Sequence, residues 1–306
     1  MEYPDFLKRL FVKLTGFRPE VFGAEKKEEM RRKLTEANRK QDRDPAHSGY
    51  SDGLEFEEIG LPECSGWLVR RPGNPEDKII YYIHGGGFTG ACTKDRMKFI
   101  STLVKEFGFN VFSVDYRLAP EYMQPCQVLD CLDGYRWCLE RRKPENTVFI
   151  GESAGANLAV ALCVLLRDRG LPQPAAVYAN SGAFQFDGYT ESYERCSLKT
   201  DFIVVKSILE NMKDIYFRDG EEKDPYVAPL HADLTGIAPV WLTVSRSESL
   251  YDDSVMLYGK LKEYGNDAVF KEYDGLCHAF IISPDMRGVR KKSYGDLKDF
   301  LDGYLR

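Results

Sequence analysis

Short apolar runs and amphipathic stretches alternate along most of this chain. Eight runs rich in β-branched and aromatic residues read as strands, over residues 55–59, 66–70, 78–83, 111–116, 147–150, 175–181, 240–245 and 268–273. Helical periodicity marks 95–107, 126–142, 154–169, 253–264 and 286–304. Strands separated by helices cannot pair as tight hairpins. The alternation therefore predicts the α/β class, a mostly parallel eight-stranded sheet with helices on both faces.

Two segments break the rhythm. The first 50 residues carry an amphipathic stretch at 3–14 and a highly charged helical stretch at 24–40, and precede any strand signal. Residues 183–224 are aromatic and charged, with helical period around 201–217, and read as an insertion over one end of the sheet. The division is thus 1–50, an N-terminal helical segment; 51–182, the first part of the core; 183–224, the insertion; and 225–306, the second part of the core.

Composition narrows the functions. With 43% hydrophobic and 29% charged residues among 306, the chain can bury a sizeable core, which excludes disorder and fibrous classes. A net charge of −6 without a long basic run speaks against nucleic acid and anionic membrane surfaces as partners. The eight cysteines show no C-x-x-C and no Cys–His pairing at zinc-ligand spacing, so reduced thiols and no metal are expected. Glu2, Asp5, Lys8, Arg9 and Lys13 interrupt the first apolar stretch, and no segment approaches the roughly 18 uncharged apolar residues of a membrane span. A cytoplasmic protein is expected, with oligomeric state left open, a homo-oligomer included.

The chemistry concentrates in a few places. Gly151-Glu152-Ser153-Ala154-Gly155 follows a predicted strand and opens an apolar helix, the context that makes G-x-S-x-G a nucleophile elbow. The turn is so tight that a Cβ at either glycine would collide with its neighbours, while the serine hydroxyl stays exposed. The bland alternative is a plain helix start. His84-Gly85-Gly86-Gly87 follows the strand at 78–83, and such a glycine run can turn backbone N–H groups into a pocket that holds an oxyanion. Taken alone it is equally a glycine-rich turn with His84 packed locally.

Gly85-x-Gly87-x-x-Gly90, with Asp115 ending the next strand, also matches the dinucleotide-binding fingerprint. Helix signals begin only near Asp95, which leaves Gly90 outside the helix it should pack, so a nicotinamide cofactor is set aside and no cofactor is expected.

A nucleophilic serine needs a base, and the chain has four histidines, His47, His84, His231 and His278. His278 lies in a loop after the last strand, placed to reach the elbow, whereas His47 and His231 read as solvated or structural. The order Ser, acid, His requires the orienting carboxylate between 153 and 278, preferably after the strand 240–245. Glu248, Asp252 and Asp253 qualify by position. Asp252 and Asp253 precede an apolar-periodic helix, where an aspartate is also explained as an N-cap. Phe184, Phe186, Tyr189, Tyr193, Phe202, Tyr216 and Phe217 either line a pocket or pack the insertion.

Together these motifs resemble the hormone-sensitive-lipase-like esterases of the α/β-hydrolase superfamily, from about residue 50 onward. His84-Gly85-Gly86-Gly87-Phe88 is similar to the family's oxyanion motif, Asp115-Tyr116-Arg117-Leu118-Ala119-Pro120-Glu121 to its signature, and Gly151–Gly155 to its elbow. The resemblance implies the α/β-hydrolase fold, with residues before about 50 and 183–224 forming a helical cap. It implies Ser153, Glu248 and His278 as the triad, N–H groups of Gly85, Gly86 and Ala154 as the oxyanion hole, and Phe88 and Phe184 against the substrate. The implied activity is hydrolysis of short-chain carboxylic esters by a serine carboxylesterase acting on a small-molecule ester. Deacetylation of sugars, sterols or amides on the same triad is the alternative, and a non-catalytic small-ligand receptor the further one. Three places depart from the family pattern: Glu152 stands for Asp or Thr, Met123-Gln124-Pro125-Cys126 for Phe-Pro-Ala, and Glu248 for an initial Asp.

Overall fold

Five consecutive buried residues, Ile79–Ile83, form the strand at the heart of the sheet, because a strand covered on both faces must be apolar at every position. The computed structural model describes residues 21–188, 190–196, 201, 203–282 and 289–305. The strands are β1 (Glu55–Gly60), β2 (Ser65–Arg70), β3 (Ile79–Ile83), β4 (Asn110–Asp115), β5 (Thr147–Glu152), β6 (Ala176–Asn180), β7 (Val240–Ser245) and β8 (Ala268–Tyr273). Their order is β1-β2-β4-β3-β5-β6-β7-β8, antiparallel at β1–β2 and β2–β4 and parallel thereafter.

The helices are α1 (Ala24–Lys40), α2 (Lys94–Lys105), α3 (Cys126–Leu139), α4 (Ala154–Asp168), α5 (Glu191–Arg195), α6 (Lys206–Tyr216), α7 (Tyr251–Glu263) and α8 (Val289–Tyr304). The two-residue period of the strands splits the sheet into two cores. Ile79, Tyr81 and Ile83 of β3 face one side with Phe112, Phe149 and Val177, against α3, α4 and α7. Ile80 and Tyr82 face the other with Val111, Val148 and Tyr178, against α2 and α8. No helix among the described residues is long and apolar enough to cross a membrane.

The expected strands all form, within two residues at each end. β5 runs two residues past its expected end because Gly151 and Glu152 still pair with Ala179 and Asn180 of β6, which carries the ladder to the elbow itself. The helical period at 201–217 shortens to α6, since the Asp201 carboxylate accepts the N–H groups of Ile203 and Val204 and holds a turn there instead. The expected stretch at 3–14, and 286–288 of the terminal helix, lie outside the described residues.

The insertion is tied to the core by buried polar groups. Asn157 of α4 donates to the carbonyls of Ala183 and Val227 at 2.6 and 2.8 Å, gripping both of its ends. Further back, Asn38 of α1 donates to the carbonyl of Ala119, and Arg39 pairs with Glu121 at 2.6 Å.

Candidate active site

Parallel strands deliver their following loops to one edge of the sheet, and β5, β7 and β8 each end there in a residue with chemistry to offer. After β5 the chain turns at Ser153 with φ 55° and ψ −121°, a conformation costly for a side-chain-bearing residue and held by its surroundings. The Ser153 N–H donates to Asn180 at 2.8 Å. A Cβ on Gly151 would stand 2.3 Å from the Gly155 carbonyl oxygen, and one on Gly155 2.0 Å from that of Ile83, so both positions admit only glycine. The side chain of Ser153 remains half-buried.

His278, 3% exposed, places Nε2 at 2.8 Å from Ser153 Oγ and Nδ1 at 2.8 Å from Glu248 Oε2. The other carboxylate oxygen of Glu248 accepts the Ser245 N–H at 2.7 Å and the Ser181 hydroxyl at 2.9 Å. Burial opposes charge on the imidazole. The hydrogen bond and charge of Glu248, with the charges of Asp201 and Glu152, outweigh it and hold the His278 pKa above the ordinary value. Of the three expected acids, the structure brings Glu248 to the histidine. Asp252 and Asp253 lie inside the first turn of α7 and do not cap it, which corrects the expectation: Asp252 accepts the Ser192 N–H, while Asp253 accepts Phe184 N–H, Gln185 N–H and the Tyr193 hydroxyl. Both reach across to the insertion, because first-turn side chains of α7 face that segment.

The glycine loop departs from expectation at one donor. Gly85 N–H already donates to Glu152 Oε1 at 2.6 Å, so it is not free for an oxyanion. The same oxygen accepts Arg96 Nε at 2.6 Å and the Tyr82 hydroxyl at 3.2 Å, in a pair whose carboxylate is 1% exposed. The N–H groups of Gly86, Gly87 and Ala154 have no hydrogen-bond partner among the described residues. Glu152 and the Asp115–Glu121 signature both brace this loop. Tyr116 stacks on His84 with ring centroids 4.2 Å apart and donates to its carbonyl, and the Ala119 N–H donates to Phe88. Arg117 in turn holds Asp130 with two nitrogens. Burial and the Arg96 charge push the His84 pKa down to about 3, so this histidine stays neutral.

Phe88 stacks face to face on Tyr216 of α6 at 3.5 Å and meets Phe186 edge-on. A Cβ on Gly87 would come within 3.1 Å of the Met212 methyl, so α6 lies directly on the glycine loop. Phe184, expected against substrate, is fully buried in the main core and offers no surface to a ligand. Its backbone fixes the insertion to Asp253 instead. Tyr189 and Phe202 lie outside the described residues. His47 and His231 pair with Asp42 and Asp187 at the surface. Two contributors left no mark in local sequence: Ser181, at φ 54° next to β6, and Asp201, whose carboxylate lies with those of Glu248 and the His278 ring inside 4.8 Å.

The chain has relatives that share this arrangement's frame. A family model described as alpha/beta hydrolase fold matches residues 80–282, more than half of the chain. An acetyl-hydrolase of Streptomyces hygroscopicus is 30% identical over 266 residues, covering 82% of this chain and 88% of that one. The esterase LipU of Mycobacterium tuberculosis is 31% identical over 255 residues, 79% and 85% of the two chains. A crystal structure of an esterase from the bacterial hormone-sensitive lipase family, 27% identical, aligns over 100% of both chains with a TM-score of 0.81. Matched along nearly its whole length, this chain belongs to the α/β-hydrolase fold family, in its hormone-sensitive-lipase-like branch.

Proposed function

We propose that this chain is a carboxylic ester hydrolase in which Ser153 is the nucleophile, His278 the general base and acid, and Glu248 the orienting carboxylate. The observation that carries the reading is the unbroken line of 2.8 Å contacts from Ser153 Oγ through the two ring nitrogens of His278 to Glu248. Esterase and acetyl-hydrolase relatives support the same reaction class.

Ser153 Oγ attacks the acyl carbonyl as its proton passes to His278 Nε2, and the carbonyl π pair moves onto oxygen. When the tetrahedral intermediate collapses, the ester C–O bond breaks and His278 returns the proton to the departing alkoxide. Water then attacks the acyl-enzyme by the same route in reverse. The developing oxyanion is assigned to the unpartnered N–H groups of Gly86, Gly87 and Ala154, each worth about 3 kcal/mol in comparable sites.

Residues before about 50 and 183–224 serve as the cap, and the rings of Phe88, Tyr216 and Phe186 fill the space above the glycine loop. A small ester with a short acyl chain fits this closure best. The eight cysteines form no disulfide among the described residues, which suits a reducing, cytoplasmic setting. The test is Ser153→Ala, assayed on p-nitrophenyl butyrate. We expect an unchanged thermal midpoint and no measurable hydrolysis. Retention of more than a few per cent of wild-type kcat refutes the assignment.

A further inference from the structure

Next to the proposed triad stands a carboxylate that the reaction just described does not use. Asp201 is fully buried, and one of its oxygens, one of Glu248 and one nitrogen of His278 all lie within 4.8 Å of one another. It comes from a different part of the chain than the triad acid: Glu248 follows β7, whereas Asp201 belongs to the insertion. Among the described residues its oxygens are held by backbone N–H groups. Oδ1 accepts the N–H groups of Ile203 and Val204, and Oδ2 accepts that of Ser249 at 3.0 Å. Ser249, the residue after Glu248, also donates its hydroxyl to the Val204 carbonyl at 2.7 Å and accepts the Ser192 hydroxyl on its own carbonyl at 2.6 Å. The acid loop is thus stapled on three sides to the insertion.

We propose that Asp201 is a positioning residue of the hydrolytic site, a second buried carboxylate that faces His278 beside Glu248, steadies the acid loop and favours the imidazolium formed when Ser153 gives up its proton. The inference rests on the triad reading above. Three backbone donors on an aspartate would by themselves describe a turn. Facing an imidazole from inside the protein, with no cation of Lys or Arg among its partners in the described residues, makes the charge matter to that ring. Both groups are buried, so a negative charge at this range weighs heavily on the protonated form.

The charged and titratable groups that bear on His278 are Glu248 from the loop after β7, Asp201 from the insertion and Glu152 from the end of β5, all acidic, with Ser153 at the elbow. Those that bear on Asp201 are His278 and Glu248. Burial pushes the Asp201 pKa up to about 6, with Glu248 adding to the rise and His278 and the Val204 and Ser249 amides opposing it. With their ligand atoms within 4.8 Å, Asp201 and His278 titrate as a coupled set.

The experiment is the pH profile of kcat/KM on p-nitrophenyl butyrate for the full chain and for Asp201→Asn and Asp201→Ser, with thermal midpoints alongside. Removing a negative charge lowers the pKa of His278, so neutral imidazole persists further into acid. The acid limb should move down by about one pH unit, with kcat reduced roughly tenfold and KM within about twofold. An acid limb that stays at its wild-type position, whatever the rate, overturns the proposal and leaves Asp201 as a turn-former only. If neither variant folds, the His278 ring proton is followed by NMR in the otherwise wild-type chain. A two-step titration is expected, and a single step overturns the proposal. Ser153→Ala separates the two readings: hydrolysis by that variant removes the triad assignment itself, whereas an inactive Ser153→Ala with an unmoved Asp201→Asn limb removes only the role of Asp201.

Discussion

Glu248→Gln isolates what the proposed acid does, because the structure dictates how the new side chain must sit. Oε1 of Glu248 takes the Ser245 N–H and the Ser181 hydroxyl, two donors that can be met only by a carbonyl oxygen. The glutamine oxygen is therefore drawn to that position, and its NH2 replaces Oε2, opposite His278 Nδ1. A donor now faces Nδ1, so the ring shifts its proton to Nε2. That nitrogen then points a hydrogen at Ser153 Oγ and cannot accept one. The same wrong-tautomer effect in a serine protease triad lowers kcat about 10⁴-fold, or about 5.5 kcal/mol in the barrier, and we expect a loss of about 10³ to 10⁴ here with KM little changed. Shape is preserved, so the thermal midpoint should move little. Asp252→Asn is the paired control. Asn can still accept the Ser192 N–H that Asp252 accepts at 2.7 Å, so the change should cost about 1 kcal/mol of stability and less than a factor of three in kcat. The assay is steady-state hydrolysis of p-nitrophenyl butyrate with circular dichroism melts of both variants. Glu248→Gln within tenfold of wild type, or a loss of several orders of magnitude in Asp252→Asn, refutes the reasoning.

Other outcomes follow from the same geometry. His278 must be neutral to take the Ser153 proton, and its pKa lies above the ordinary 6.5, so kcat/KM should decline as pH falls through a value above 6.5; an acid limb centred below that contradicts the carboxylate environment. Butyrate esters should be cleaved with a kcat/KM at least tenfold above hexadecanoate esters and without activation at an oil–water interface, since the rings of Phe88 and Tyr216 close the space over the glycine loop; equal rates on both would mean the insertion opens as a lid. Glu152→Gln strands the buried Arg96 guanidinium and weakens the anchor of Gly85, which should cost about 3 kcal/mol and several degrees of thermal midpoint; a midpoint within a degree of wild type would show that the pair carries no weight.

The sheet was legible because each strand is a short apolar run bounded by turn residues, and the elbow because two glycines and a serine at fixed spacing satisfy a steric demand that little else can meet. The structure brings Ser153 and Glu248 each within hydrogen-bond distance of His278. What local pattern could not carry was the use of individual polar atoms. Gly85 looked like a free donor, yet its N–H is committed to Glu152, 67 residues away, and the departure at the elbow's second position is what takes it. Asp252 and Asp253 looked like caps because they stand near a helix start, but helix phase turns them outward to the insertion. Phe184 reads as any aromatic in a cap would, and only the packed structure distinguishes a ring that meets a ligand from one that fills a core. Ser181 and Asp201 belong to no motif, since their roles exist only where the acid loop meets the end of β6 and the insertion in the folded chain.

The side chain of Asn157 gives the molecule a clasp. One carboxamide grips the carbonyls of Ala183 and Val227, so the two necks of a long excursion are pinned side by side to α4. Once the ends of a loop are fixed, lengthening it costs only a slowly growing entropy. The stretch between the necks is thereby released from the geometry of the strands, and its length can vary as long as its contacts with α7, the acid loop and the glycine loop are kept. Among those contacts, any replacement must still present a backbone and a carboxylate to Ser249, or the acid loop loses the support that the present segment gives it.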